Sequence, residues 1–159
     1  MLHNTINHFE KGKEAKMTNK HPNKNQLTKL GGKSEPGKNL EAFPNQNPER
    51  YYLVTLETDE FTCLCPVTGQ PDFATIQVEY IPDQLIVESK SFRLYIWSYR
   101  NEGVFHEHVT NTILDDLVKT LDPHWCKVTG IFNIRGGVDI IVNAQHIKTK
   151  EALESIEYL

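Results

Sequence analysis

The side chains best suited to covalent chemistry stand in one short run, Phe61 to Ala74 (FTCLCPVTGQPDFA), which holds Cys63, Cys65 and Asp72. Cys65 precedes Pro66 and is followed by Thr68, Gly69 and Gln70, a composition that favours a turn. A thiol at the mouth of a turn is open to solvent, and backbone N–H groups there lower its pKa; only the thiolate is a strong nucleophile. Asp72 lies across a Gly-Gln-Pro turn that can fold the chain back, where a carboxyl group can shuttle protons for the thiol and its adduct. Read without that chemistry, Cys63 and Cys65 are small core residues at a strand end. Two cysteines at this spacing can also be half of a zinc site. Cys126 is the only other thiol, however, and no second compact Cys/His pair completes the set, so no metal site is expected.

Three further clusters carry charge in suggestive places. Glu88-Ser89-Lys90-Ser91-Phe92-Arg93 puts two cations near a strand-to-helix junction. Helix N-termini favour anions, and Lys and Arg add full charges, which suits the phosphates of a dinucleotide. There is no G-x-G-x-x-G fingerprint, so a Rossmann site is not implied, and a solvated helix start explains the same residues. His106-Glu107 opens a long amphipathic segment. A carboxylate there can accept the paired N–H groups of a guanine-type edge, or it can simply complement the helix start. Arg135-Gly136-Gly137 reads as a hairpin turn, or as an arginine on bare backbone that contacts phosphate.

The elements that must position these groups follow from hydrophobic periodicity. Tyr51–Glu57 reads as a strand. Phe73–Tyr80 alternates, with Ala74, Ile76, Val78 and Tyr80 on the apolar side, and Gln84–Glu88 forms a short strand after the turn at Pro82-Asp83. Ser91–Asn101 is helical on the spacing of Phe92, Tyr95, Ile96 and Tyr99. His106–Leu121 is the clearest helix, with a stripe of Val109, Ile113, Leu114, Leu117, Val118 and Leu121 and a stop at Asp122-Pro123. Trp125–Ile134 and Val138–Ile147 are strands around the Arg-Gly-Gly turn, and Ala152–Tyr158 adds a short helix. Short turns between strands imply antiparallel pairing, with both helices on one face: an α+β layer whose open edges invite oligomerisation.

The 159 residues suit one domain. Residues 1–45 are rich in Lys, Asn, Gly and Pro, lack a packing face, and read as a basic tail without fixed structure, leaving residues 46–159 as the folded domain. Up to residue 40 there are eight Lys against three Glu, about +5. The formal charge of the whole chain is -4, so the body carries about -9. An acidic body argues against duplex nucleic acid as the main ligand, and the basic tail offers at most an RNA contact. Three cysteines, no apolar leader and no window near the roughly 18 apolar residues of a membrane span imply a reducing, cytoplasmic setting.

The order of these clusters is more specific than any one of them. FTCLCPVTGQPDFA, then ESKSFRLY from Glu88, then FHE from Phe105, then RGG from Arg135 resembles the single-module branch of the NADPH-dependent 7-cyano-7-deazaguanine reductase (QueF) family over roughly residues 50–142. The resemblance implies a tunnelling fold (T-fold), shared with GTP cyclohydrolase I, in which sheets of several subunits join into a barrel with active sites between subunits. It implies reduction of a nitrile to an aminomethyl group in the making of the tRNA base queuosine. Cys65 would be the covalent nucleophile and Asp72 the proton donor. Val87, Glu88, Ser89, His106 and Glu107 would bind the deazaguanine, and Lys90, Arg93, Arg135 and Gly136 the NADPH. Arg93 replaces the lysine usual in the family, which keeps the charge and can grip phosphate bidentately. Two other readings stay open: a cyclohydrolase-like enzyme on the same fold, and a non-catalytic purine- or pterin-binding module.

Overall fold

The structure, a computed structural model, describes residues 34–156. In chain order its elements are β1 (Ala42–Pro44), β2 (Val54–Leu64), β3 (Pro71–Ile81), β4 (Leu85–Val87), α1 (Ser89–Ser98) running into a 3-10 turn (Tyr99–Asn101), α2 (His106–Leu121), β5 (Trp125–Arg135), β6 (Val138–Ile147) and α3 (Lys150–Ile156). The fold is α+β. A four-stranded antiparallel sheet has the order β2-β3-β5-β6, and β1 and β4 form a separate antiparallel pair. No helix among the described residues is long and apolar enough to cross a membrane.

Alternation decides which side of the sheet is covered. Cys63, Ala74, Ile76, Val78, Tyr80, Cys126, Val128 and Phe132 turn to the helical side and are buried in one core with Phe92, Tyr95 and Ile96 of α1 and Val109, Ile113, Leu114, Leu117 and Leu121 of α2. Thr110 joins the α2 stripe fully buried. Its hydroxyl donates to the His106 carbonyl at 2.8 Å, which lets a polar residue sit there at little cost. The opposite face carries Gln77, Glu79 and Lys127 together with the exposed Phe73, Ile131 and Ile141. β2 and β6 are the edges of the sheet.

A buried polar chain ties the two helices. The Tyr95 hydroxyl donates to Asp116 Oδ2 at 2.6 Å. That uses its only proton, so the Tyr99 hydroxyl, 2.7 Å away, donates to Tyr95. Burial, followed by the hydrogen bond to Asp116, drives the Tyr95 pKa far upward.

Three expectations need correction. Residues 1–33 of the expected tail lie outside the described residues, but Ala42–Pro44 is a strand paired with β4. The strand is exposed, and side-chain hydrogen bonds at its two ends hold it rather than apolar burial. Asn45 donates to the Asp83 carbonyl at 2.8 Å and accepts from Tyr52 at 2.7 Å, while Ser91 Oγ accepts from the Glu41 N–H at 2.9 Å. The strand expected at Tyr51–Glu57 is displaced to Val54–Leu64, because pairing with β3 continues past a register shift between Thr58 and Phe61, where Asp59 and Glu60 interrupt the alternation. Cys63 and Leu64 are therefore strand residues, not loop. The last helix begins two residues earlier than expected, at Lys150.

Gly130 of β5 lies beneath α2. A Cβ built there would stand 2.7 Å from Thr110 Oγ1 and 2.8 Å from Phe132 Cε2. Gly130→Ala is expected to lower the unfolding free energy by about 1–3 kcal/mol, read as a reduced urea midpoint at unchanged slope.

Candidate active site

The turn after β2 is closed by its own backbone. The Cys65 N–H donates to the Gln70 carbonyl at 2.8 Å, and the Gly69 N–H to the Cys65 carbonyl at 2.9 Å. Gly69 adopts φ +68, a conformation that L side chains resist. The chain entering α2 docks on the end of the same strand. The Leu64 N–H donates to the Glu102 carbonyl at 2.8 Å and the Val104 N–H to the Leu64 carbonyl at 3.0 Å. The approach at Gly103 is close, an added Cβ standing 3.2 Å from Pro66 Cα. This docking carries Phe105, His106 and Glu107 to the Cys65 turn. A cavity of about 190 Å³ opens there, lined by residues that include Cys65, Asp72, His106, Glu107 and Arg135.

Cys65 is partly exposed, and its pKa falls from the ordinary thiol value to about 7. A hydrogen bond from the Thr68 hydroxyl contributes most, then the N–H groups of Thr68 and Val67; the Arg135 charge adds to them against some desolvation. The thiolate is therefore far more accessible near neutrality than in an ordinary cysteine. The other two thiols behave oppositely. Burial, followed by the nearby Asp72 and Cys65, pushes Cys63 up to about 11, and burial pushes Cys126 up to about 12.

Asp72 pairs in register with Cys63, so it shares the helix-covered face with Ala74 and Ile76, and it is 7% exposed. Both of its oxygens face cations or potential cations. Arg135 Nη1 donates to Oδ1 at 2.6 Å, and His106 Nε2 stands 3.3 Å from Oδ2. The imidazole is held flat on the Phe132 ring, with centroids 3.9 Å apart and planes inclined by 10°.

The other expected site residues form a second group at the start of α1, none of them lining this cavity. Val87 is buried at the end of β4. Glu88 is the helix N-cap, accepting from the N–H groups of Lys90 at 2.8 Å and Ser91 at 2.6 Å, and these bonds, in that order, lower its pKa. The open helix N-terminus expected as a phosphate seat is thus filled by the chain's own carboxylate. Each Glu88 oxygen keeps a lone pair for a further donor. Ser89, Lys90 and Arg93 are exposed, and Arg93 Nε pairs with Glu60 at 3.4 Å. Arg135, expected with the cofactor group, lines the Cys65 cavity. Gly136 and Gly137 follow it with φ +60 and +80, the conformation of a tight two-residue hairpin loop.

Sequence reasoning missed three participants. Thr68 and Gln70 accept from Arg135 Nη2, Thr68 at 3.2 Å, and Phe132 backs His106. Only Thr68 carried a signal, a hydroxyl three residues beyond a turn cysteine.

A near-neutral thiol, a buried carboxylate and a braced imidazole gather around one cavity, a set of groups suited to covalent and proton-transfer chemistry in an enzyme site. Comparison with known proteins narrows it. The model of the family described as "QueF-like protein" matches residues 71–151. A curated relative from Syntrophus aciditrophicus is 61% identical over 122 residues, covering 77% of this chain and 87% of the relative. One from Thermomicrobium roseum is 59% identical over 118 residues, covering 74% and 92%. Both are named NADPH-dependent 7-cyano-7-deazaguanine reductase. Among solved structures, an archaeosine synthase QueF-Like in the apo form matches with TM-score 0.56 and 28% identity, covering 61% of this chain and 94% of that one. The chain belongs to the QueF-like family.

Alkylation by iodoacetamide is expected to label Cys65 with a pH midpoint near 7, and to leave the buried Cys63 and Cys126 unmodified in the folded protein. Peptide mapping across a pH series checks both points.

Proposed function

We propose that the protein is an NADPH-dependent 7-cyano-7-deazaguanine reductase that works through a thioimide on Cys65. The observation that carries this reading is the Cys65 sulfur, near neutral in pKa, sharing a cavity with the buried Asp72. The names of the relatives supply substrate and cofactor.

In this mechanism the Cys65 thiolate adds to the nitrile carbon. The C–S bond forms, one pair of C–N π electrons moves to nitrogen, and nitrogen takes up the proton that left the thiol. Asp72, with His106 Nε2 at its second oxygen, is the relay for that proton. When bound, NADPH would supply hydride, once to the thioimide carbon and once, from a second molecule, to the imine carbon, and the imine nitrogen takes its further proton through Asp72 and His106. Cys65 departs as thiolate when the imine forms, ready for another cycle. Phe105 and Val104 on the cavity wall keep the imine from water. Glu107 in the cavity and Glu88 at α1, with Val87 and Ser89, hold the deazaguanine edge. Exposed cations at Lys90 and Arg93 and the bare Gly136 backbone fit the phosphates of the dinucleotide.

The separation of the α1 group from the Cys65 cavity within one chain supports a site completed by a second copy. The open β2 and β6 edges and the exposed Phe73, Ile131 and Ile141 support side-by-side pairing of sheets into the barrel of a T-fold. Residues 46–159, together with the β1 strand, would be the catalytic domain, and the lysine-rich segment before it an appendage.

With 7-cyano-7-deazaguanine as substrate, two NADPH are expected to be consumed per nitrile, followed at the cofactor's absorbance. Asp72→Asn is expected to fold normally and lose at least about 100-fold in kcat. Unchanged kcat in that variant would remove Asp72 from the proton path.

A further inference from the structure

Arg135 joins Asp72 to the turn that carries Cys65. Nη1 donates to Asp72 Oδ1 at 2.6 Å. Nη2 donates to Thr68 Oγ1 at 3.2 Å and to Gln70 Oε1. Thr68 spends an oxygen lone pair on Arg135, so its single proton remains for the Cys65 sulfur, which it stabilises as thiolate. The guanidinium fork thus spans from the acid to the group that ionises the nucleophile, and it also anchors the turn between them through Gln70. An ammonium, a single point on a flexible stem, cannot hold these directions at once.

Strand geometry makes this placement a built feature. Phe132 faces the helical side and pairs with Ile140, whereas Arg135 pairs with Val138. Strict alternation from Phe132 would send Arg135 to the opposite face, away from Asp72. The register shift between Phe132 and Arg135 inserts one extra residue and returns Arg135 to the face where Asp72 stands, the re-aiming that a β-bulge performs. The side chain is partly buried, 38% exposed, against a carboxylate at 8%, so its contacts are better shielded than those of a surface pair.

We infer that Arg135 is a positioning residue for the nucleophile, setting the Cys65 turn and Asp72 in register through Thr68 before any cofactor binds. The inference rests on the nitrile-reductase reading for what the nucleophile attacks, but not for how the sulfur is prepared. A residue that only held NADPH phosphate would be silent in every step that lacks NADPH.

The test uses the full chain with Arg135→Lys, Thr68→Val, Thr68→Ser and the double variant Arg135→Lys/Thr68→Val, each checked for folding by circular dichroism. Two readouts omit NADPH: the pH midpoint of Cys65 alkylation, and the rate of adduct formation with 7-cyano-7-deazaguanine. Arg135→Lys and Thr68→Val are each expected to raise the alkylation midpoint by about half a unit or more and to slow adduct formation about 10- to 100-fold. Thr68→Ser restores both, and the double variant shifts less than the sum of the singles, because both act on one hydrogen-bond chain. An Arg135→Lys variant with wild-type midpoint and adduct rate, and a raised KM for NADPH alone, overturns the inference. If the wild-type protein forms no adduct, the nitrile reading fails, and the alkylation series still decides the role of Arg135.

Discussion

The rest of the site is arranged around one turn, where the Thr68 hydroxyl and the N–H groups of Thr68 and Val67 lower the pKa of the Cys65 sulfur. Without Thr68 and the amides of Val67 and Thr68, Cys65 would be an ordinary thiol, overwhelmingly protonated at neutral pH. The six-residue turn that provides these donors has almost no core of its own. Its shape is imposed by the Cys65–Gln70 backbone bond, by Gly69 in the left-handed region, and by Arg135 reaching in from the far hairpin. A thiol two residues earlier, Cys63, faces the core and is held protonated by burial. The selectivity between two neighbouring cysteines is therefore a matter of strand end against turn.

The larger fold serves to deliver three segments to that turn. β3 brings Asp72 opposite Cys63 by register. The crossing of Gly103 over Pro66 brings His106 from the start of α2, and Phe132 fixes the ring. The β5–β6 hairpin brings Arg135. All three segments lie at one end of the sheet, while the core of Tyr80, Leu117 and Leu121 sets the spacing between sheet and helix. Large-to-small changes in such a core cost about 2–5 kcal/mol, so the geometry of the turn is underwritten by packing remote from it.

Much of this was legible in the sequence, because periodicity and turn composition act locally. The His106–Leu121 helix and the β6 strand start and end where their apolar patterns do. The apolar side of β3, Ala74, Ile76, Val78 and Tyr80, was also legible, and the strand extends back to include Asp72 on that side. What escaped were features whose cause is not local. A β-bulge adds one residue without a compositional mark, so the face on which Arg135 stands was not legible from the strand pattern. β1 has no apolar pattern because Asn45, Ser91 and backbone pairing hold it. Glu88 looked like a ligand for a guanine edge, and within this chain it first caps its own helix.

The most direct measurement is the mass of the protein after incubation with 7-cyano-7-deazaguanine in the absence of NADPH, followed by peptide mapping. Addition of a thiolate to a nitrile loses no atom, so the account predicts a gain equal to the whole substrate, confined to the peptide that contains Cys65. An unmodified Cys65 peptide, or the added mass on Cys63 or Cys126, would contradict it.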